Sequence, residues 1–352
     1  MTHRTVIPVS AQFIGLDVGD GKTHLCCVDG DRQVVERKRF STTRESFERE
    51  FSERAPTKVV LEVGSQSPWI SALLRELGHD VLVADARRVA ALIRHERKTD
   101  RRDAEALARL LVGVPEMLGK VHHRGRQAQA DLAVIRTRDQ LVSTRTRLIQ
   151  CVRGIAKSFG LQLPACSPSA FHRRVREVVP SDLEPALMPV IEQLATLEPT
   201  IRRLDRRIED LAQERYPEAN RLRQVRGVGA LTALSFVLTL DDPTRFEKSR
   251  MVGAWLGLAP KVAASGDRDP QLGISKTGSV HMRRLLVQSA HYILGPFGHD
   301  CDLRRHGERI SQRGGKSAKK RAAVAVARKL AVLMHRLWVS KCDYVPIRSQ
   351  PT

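Results

Sequence analysis

Apolar and polar residues are arranged in three different ways along this chain, and each predicts a different kind of element. Between Gln12 and Leu111, short apolar runs are separated by turn residues. Phe13-Ile14-Gly15-Leu16-Asp17-Val18 reads as a buried strand, Gly19-Asp20-Gly21 as a tight turn, and His24 to Val28 as the returning strand of a hairpin. Lys58 to Val63 predicts another strand, Pro68 to Leu77 a helix closed by Gly78, and Asp80 to Ala84 a further short strand. Two helical stretches follow, roughly Ala86 to His95 and Asp100 to Leu111. A hairpin followed by strand–helix units is the order of an α/β domain with a mixed sheet.

From about Gln127 to Arg215 the spacing becomes that of long helices. Val134, Leu141, Leu148 and Ile155 stand seven apart. Leu187, Val190, Leu194, Leu197, Ile201, Leu204, Ile208 and Leu211 alternate gaps of three and four with charge between them, which is a heptad seam. Pro185, Pro189 and Pro199 interrupt it, which predicts two or more helical pieces. Such a seam serves either a bundle within one chain or dimerisation. The remainder, from Leu222 onward, is mostly helical, punctuated by glycines, and ends in a basic helix from Lys319 to Trp338. The expected organisation is α/β plus all-α: residues 1–115, a helical or coiled-coil segment 116–220, and a helical domain 221–345.

Charge gives the first indication of a partner. The 352 residues carry 60 Lys+Arg against 39 Asp+Glu, a formal net charge of +21. The stretch Cys301 to Lys341 holds twelve Lys/Arg against Asp302 and Glu308 alone. A surplus of this size points to a polyanion, nucleic acid before a membrane surface. No run approaches the roughly 18 apolar residues of a membrane span, and Met1 to Ser10 lacks the apolar stretch of a signal peptide, so a cytoplasmic protein is expected. Six scattered cysteines without a C-x-x-C pair support neither a zinc module nor a disulfide framework, and are expected to be reduced and mostly buried. Aromatics are only 4%, which argues against a reader of single strands built mainly on stacking.

The chemistry is sought among the acids. Asp17 interrupts an apolar strand, Glu62 ends another, and Asp100 and Asp103 share one helix face at spacing i, i+3. Each has an ordinary reading: a turn residue, a strand-end surface acid, a helix cap. Four converging carboxylates would instead need cations, and Mg2+ or Mn2+ takes carboxylate oxygens of this kind; two metals about 4 Å apart clamp the attacking and leaving oxygens of a phosphodiester.

Ile14-Gly15-Leu16-Asp17-Val18 with Lys22-Thr23-His24, Leu61-Glu62-Val63-Gly64, and Lys98-Thr99-Asp100-Arg101-Arg102-Asp103-Ala104 resemble the DEDD domain of insertion-sequence transposases of the IS110 family, relatives of pilin-gene invertases. Arg226-Gly227-Val228-Gly229, Gly257-Leu258-Ala259-Pro260, Ser265-Gly266, Gly273-Ile274-Ser275-Lys276-Thr277-Gly278 and Arg283-Arg284-Leu285-Leu286 resemble that family's second domain, in order. The resemblance, over about residues 12 to 340, implies a ribonuclease H-like (RuvC-like) catalytic domain, a coiled-coil segment, and a C-terminal transposase domain bearing a serine nucleophile. It also implies double-stranded DNA as substrate at element ends and target, a structured guide RNA, and a homo-oligomer, dimer or tetramer. Carried over position by position, the acidic metal-binding set is Asp17, Glu62, Asp100 and Asp103, and the nucleophile is Ser265; Ala264 stands where the family often has a first serine.

The other candidates are nucleic-acid contacts. Arg226, Gly227 and Gly229 look like a helix-hairpin-helix turn whose backbone N–H groups suit phosphate. Lys276, Arg283 and Arg284 read as phosphate contacts at a helix start, and Lys319, Lys320 and Arg321 as the basic face of the last helix, docked through Val324, Ala327, Leu330, Leu333 and Leu337. Rival readings remain. Gly15 to Thr23 imitates a phosphate-binding loop but is one residue too long, and the opening strand also resembles that of actin-like sugar kinases, which would need a second Asp-x-Gly strand. A junction-resolving nuclease would not need Ser265, and an architectural binder would need none of the acids.

Overall fold

Five strands, Phe13–Val18 (β1), Lys22–Val28 (β2), Val34–Ser41 (β3), Lys58–Glu62 (β4) and Asp80–Ala84 (β5), form one mixed sheet in the order β3-β2-β1-β4-β5. β2 runs antiparallel to β1 and β3; β4 is parallel to β1, and β5 to β4. The computed structural model describes residues 12–93, 100–261 and 272–347, and the chain divides into two units, residues 1–124 and 125–352.

Strand alternation sends two residue sets to opposite faces. Ile14, Leu16, Leu25, Cys27, Val59, Leu61, Val81 and Val83 pack with Phe47 and Phe51 of Arg44–Phe51 (α1) and with Ile70, Leu73 and Leu74 of Ser67–Glu76 (α2). On the other face, Val60 and Ala84 meet Val89 of Ala86–Leu92 (α3) and Leu107 and Leu111 of Asp100–Gly113 (α4), while Cys26 and Val28 meet Ala104 and Ala108. Gly15 is where α4 crosses β1. A Cβ there would lie 2.1 Å from the Ala104 carbonyl oxygen and 2.5 Å from the Ala108 nitrogen, so the crossing depends on glycine. Arg37 of β3 reaches Glu105 of α4 at 2.6 Å and fastens the helix from the side. The Arg37 bond outweighs partial burial and holds the Glu105 carboxyl below its usual range.

The second unit is helical: Arg126–Ser158 (α5), Phe171–Arg176 (α6), Glu184–Glu214 (α7), Pro217–Leu222 (α8), Ala230–Leu240 (α9), Arg250–Trp255 (α10), Val280–Leu294 (α11), Asp302–Gln312 (α12) and Ala318–Ser340 (α13). The expected breaks at prolines do not occur, because α7 runs unbroken through Pro189 and Pro199. An interior proline costs about 3 kcal/mol. Burial of Leu187, Ile191, Leu194, Ile201, Ile208 and Leu211 offsets this at about 1.5–3 kcal/mol each. The buried stripe also differs from the heptad reading: Ile191 and Glu198 are buried, whereas Val190 and Leu197 are only half-buried. Glu198 is held by Arg145 of α5 at 2.8 Å and Arg202 at 3.2 Å. The stripe is thus occupied within this chain. Leu132 and Ile135 of α5 share one core with Ile208 and Leu211 of α7 and with α9, α11 and α13, and Ile149 and Val152 form another with Phe171, Leu187 and Ile191.

Asp131 locks the start of α5 to the end of α7. The buried carboxylate accepts from Arg215 at 2.9 and 2.8 Å, from the Tyr216 hydroxyl at 2.8 Å and from Gln127 at 3.2 Å. Burial pushes its pKa up, but the bonds from Arg215 and Tyr216 outweigh that and leave it below the ordinary value. A depressed carboxylate contributes stability that is present above its unfolded pKa, near 4, and is lost as pH falls through the folded value. Asp131→Ala is therefore expected to cost about 2 kcal/mol at neutral pH, with the gap to wild type closing below about pH 4. Urea unfolding in a Trp69→Phe background, where Trp255 and Trp338 report residues 125–352, measures it; a gap independent of pH contradicts the ion-pair account.

Of the cysteines, Cys26, Cys27 and Cys301 are buried, but Cys151 and Cys342 are exposed, so the expectation of mostly buried thiols holds for only half. Among the described residues no helix is long and apolar enough to cross a membrane.

Candidate active site and nucleic-acid interface

The acids singled out in the sequence gather at one end of the sheet, on the face that α4 covers. Asp17 shares strand parity with Gly15, and its cross-strand partner on β2 is His24. Leu16 pairs with Leu61, so Asp17 and Glu62 are the next positions along two adjacent parallel strands, about 5 Å apart. Because α4 lays Ala104 and Ala108 over Gly15, its first turn, with Asp100 and Asp103, falls at the end of β1 that carries Asp17. Asp100 Oδ2 lies 3.7 Å from His24 Nε2, which puts the helix start beside β2. Glu62 and Asp100 are exposed; Asp17 and Asp103 are half-buried.

The loop after Glu62 is held by a small polar cluster. The Gly64 N–H donates to Ser67 Oγ at 3.0 Å, the Ser67 hydroxyl donates to the Gly64 carbonyl at 2.9 Å, and His123 Nε2 lies 2.9 Å from the same hydroxyl. Burial first, then the nearby Arg75 charge, pushes the His123 pKa down, which keeps the ring neutral at neutral pH.

The donor set suits a hard divalent cation, since it is all carboxylate oxygen at a half-exposed strand end. Among the described residues, however, no three His, Cys, Asp or Glu side chains are already gathered closely enough to grip an ion. His24 was not assigned a site role from the sequence. The available signal was its register, directly across the hairpin from Asp17.

Ser265 lies outside the described residues, as do Lys98 and Thr99. The residues on either side of its segment are clamped together: Pro260 bridges Ile274, Lys261 N–H donates to the Gly273 carbonyl at 2.9 Å, Ser275 N–H to Ala259 at 2.9 Å and Lys276 N–H to Gly257 at 3.1 Å. Gly257 and Gly278 make this clamp possible. Both have positive φ, and a Cβ on Gly257 would sit 2.3 Å from the Thr277 carbonyl oxygen. Arg283 belongs to the clamp as well, which corrects its reading as a phosphate contact. Its side chain is buried and donates to the carbonyls of Leu256, at 3.1 Å, and Thr277.

The other basic candidates reach the surface. Arg226, Gly229, Lys276, Lys319, Lys320 and Arg321 are exposed, and Gly227 (φ 92°) lies half-buried against Tyr292. Arg284 is exposed but paired with Asp139, which also contacts His281 at 3.3 Å. Gly229 caps α9 without a side-chain acceptor for the first-turn N–H groups of that helix. A cleft of about 1160 Å³ runs beside α13, with Lys261, Lys320, Arg321, Arg328 and Arg336 on its walls. Val324 and Leu333 line it too, so the last helix is not docked by its whole apolar face.

Two parts of the chain match known transposase sequences, in order. Residues 14–159 match the DEDD transposase family of the IS110 type, and residues 219–297 match the transposase IS116/IS110/IS902 family. The chain belongs to the IS110 transposase family. The transposase of insertion sequence element IS1111A from Coxiella burnetii is 27% identical over 344 residues, covering 95% of this chain and 91% of that one. The transposase of element IS1328 from Yersinia enterocolitica is 29% identical over 283 residues, covering 79% and 82%. The first match takes in β1 to α5 and so includes all four acids of this transposase; the second begins in α8 and ends just beyond α11. Ser265, Lys276 and the glycine clamp fall within the second.

Proposed function

We propose that this transposase cuts and rejoins DNA strands of an insertion sequence by joint use of a metal-binding acidic set and a serine nucleophile. The observation that carries the reading is the placement of Asp17, Glu62, Asp100 and Asp103 from three separate elements at one end of one sheet face. The order β3-β2-β1-β4-β5 with β2 antiparallel supports a ribonuclease H-like, RuvC-like assignment for residues 1–115. Residues 116–220 are the helical spacer and 221–345 the transposase domain.

Asp17, Glu62, Asp100 and Asp103 would hold Mg2+ or Mn2+, which when bound polarises a phosphodiester and steadies charge on its oxygens. Ser265 supplies the attacking oxygen. Its Oγ bonds to phosphorus, the P–O bond to the departing deoxyribose breaks, and that oxygen leaves with a proton while the strand stays linked to the enzyme. The reverse attack by a new strand end restores the serine, so bond energy is conserved without ATP. The exposed bases hold phosphate backbones, of duplex DNA at element ends and target and of a structured guide RNA. The protein acts in the cytoplasm as a homo-oligomer.

The experiment is incubation with element-end DNA, Mg2+ and whatever RNA co-purifies, followed by denaturing electrophoresis. A covalent protein–DNA adduct is expected, lost in Ser265→Ala and absent with EDTA. An adduct that survives Ser265→Ala overturns the nucleophile assignment; simple hydrolysis without adduct favours a junction nuclease. Sequencing of the co-purified RNA tests guidance, which fails if no recurrent structured species is found.

A further inference from the structure

The turn after α11 has the sequence Gly295-Pro296-Phe297-Gly298, and all of it but Phe297 serves to fix its shape. Gly298 N–H donates to the Gly295 carbonyl at 3.1 Å, closing a β-turn with proline at its second position, where the ring presets φ. Arg304 then fastens the turn from below. One guanidinium nitrogen donates to the carbonyls of Ile293 at 3.1 Å, Gly295 at 2.8 Å and Gly298 at 3.0 Å, while its Nε pairs with Glu308. A Cβ at Gly298 would fall 2.0 Å from the Ile293 carbonyl oxygen, so no other residue fits there. At the tip of this braced turn Phe297 stands 75% exposed, more than any other large apolar side chain among the described residues.

An exposed phenylalanine is ordinary on a loose loop. Here the chain has only 9 phenylalanines in 352 residues, and a turn this constrained holds one of them out in water. Its surroundings name the partner. His299, next to the turn, is 2.6 Å from the exposed Arg226, so the turn lies beside that side chain and the start of α9, which has no side-chain cap. Tyr292, itself 44% exposed, stands beside Gly227. A cation and first-turn helix N–H groups suit a phosphate backbone, and a rigid aromatic next to them suits the base stack.

We propose that Phe297 is a wedge that enters the base stack of duplex DNA while Arg226 and the start of α9 hold the adjoining backbone. The proposal rests on the DNA-transposase reading and goes beyond it by naming the residue that deforms the duplex. Unstacking one step lowers the work of bringing strands into a recombination geometry, and the bracing by Arg304 lets the ring transmit force to the step it enters.

The test uses the full chain, with any RNA that co-purifies, and duplexes of element-end and target sequence carrying 2-aminopurine at successive positions. Wild type is expected to raise the fluorescence several-fold at one step. Phe297→Ala should abolish that rise and weaken binding by about tenfold, with an unchanged Tm and an unchanged salt dependence, whereas Phe297→Trp should retain the rise. Arg226→Ala should reduce the slope of log K against log salt by about one unit. A rise that persists in Phe297→Ala, or duplex bound with no rise at any position, overturns the wedge but leaves the transposase reading intact. Failure of the wild type to bind either duplex overturns both.

Discussion

Asp17→Asn is expected to reduce metal-dependent strand cleavage at least about a thousand-fold while leaving DNA affinity near that of the wild type. The size follows from position. Asp17 is the central member of the acidic set, adjacent to Glu62 across one strand pair and opposite His24, which in turn contacts Asp100. An amide keeps the shape but forfeits the charge with which the proposed set would gather a divalent ion. Loss of about 4 kcal/mol of transition-state stabilisation, a modest share of what a metal supplies, is already three decades in rate. Affinity should persist because the expected phosphate contacts are exposed bases such as Arg226, Lys276, Lys319, Lys320 and Arg321, which lie outside the acidic set. Cleavage of labelled element-end duplex and filter binding on the same preparations measure the two quantities. Cleavage within tenfold of wild type would remove Asp17 from the catalytic set, and a parallel collapse of binding would make its role structural. Glu62→Gln should behave in the same way, with a smaller loss if its exposed position makes it the outer member of the set.

The parts of the fold that were legible in the sequence are those where burial and period agree. β1, β4 and β5 lie in the middle of the sheet or under helices, so their apolar runs are unambiguous. β3 was not legible. Its Glu36-Arg37-Lys38-Arg39 reads as solvated charge, yet these residues form an edge strand, where charge is tolerated and discourages pairing with another chain. The prolines of α7 misled for the opposite reason: their local penalty is definite, but packing along the helix outweighs it. For the candidate site, residue types and order drew notice to the four acids and the family resemblance singled them out, whereas their placement at one end of the sheet depends on register and on the crossing of α4. Arg283 shows the limit of reading charge alone. Nothing in Arg283-Arg284 says which of two adjacent arginines turns inward, and only the packing of the Gly257 and Gly278 clamp assigns that to the first.

Gly15→Val should both destabilise the N-terminal unit, by about 3 kcal/mol or more, and abolish cleavage, although the residue carries no chemistry. The helix bearing Asp100 and Asp103 rests on this glycine through its backbone. The nearest atoms to an added Cβ are the Ala104 carbonyl oxygen at 2.1 Å and the Ala108 nitrogen at 2.5 Å, and neither can rotate away as a side chain would. Relief therefore requires α4 to lift off the sheet. Lifting forfeits contacts of Leu107 and Ala108 with Val60, Cys26 and Val28 and strains the Arg37–Glu105 pair. It also withdraws both aspartates from Asp17, and a displacement of about 1 Å at a reacting centre costs on the order of a hundred-fold in rate. Gly30→Ala is the control, since a Cβ there meets nothing within 4 Å. Urea unfolding followed through Trp69, the one tryptophan of residues 1–124, should show a lowered midpoint for Gly15→Val and little change for Gly30→Ala. If Gly15→Val unfolds too readily to assay, Gly15→Ala, which adds the clashing Cβ alone, provides the smaller step, with the unfolding midpoint and cleavage both expected to fall. Wild-type cleavage in Gly15→Ala would mean that the close crossing of α4 over β1 does not set the position of the aspartates.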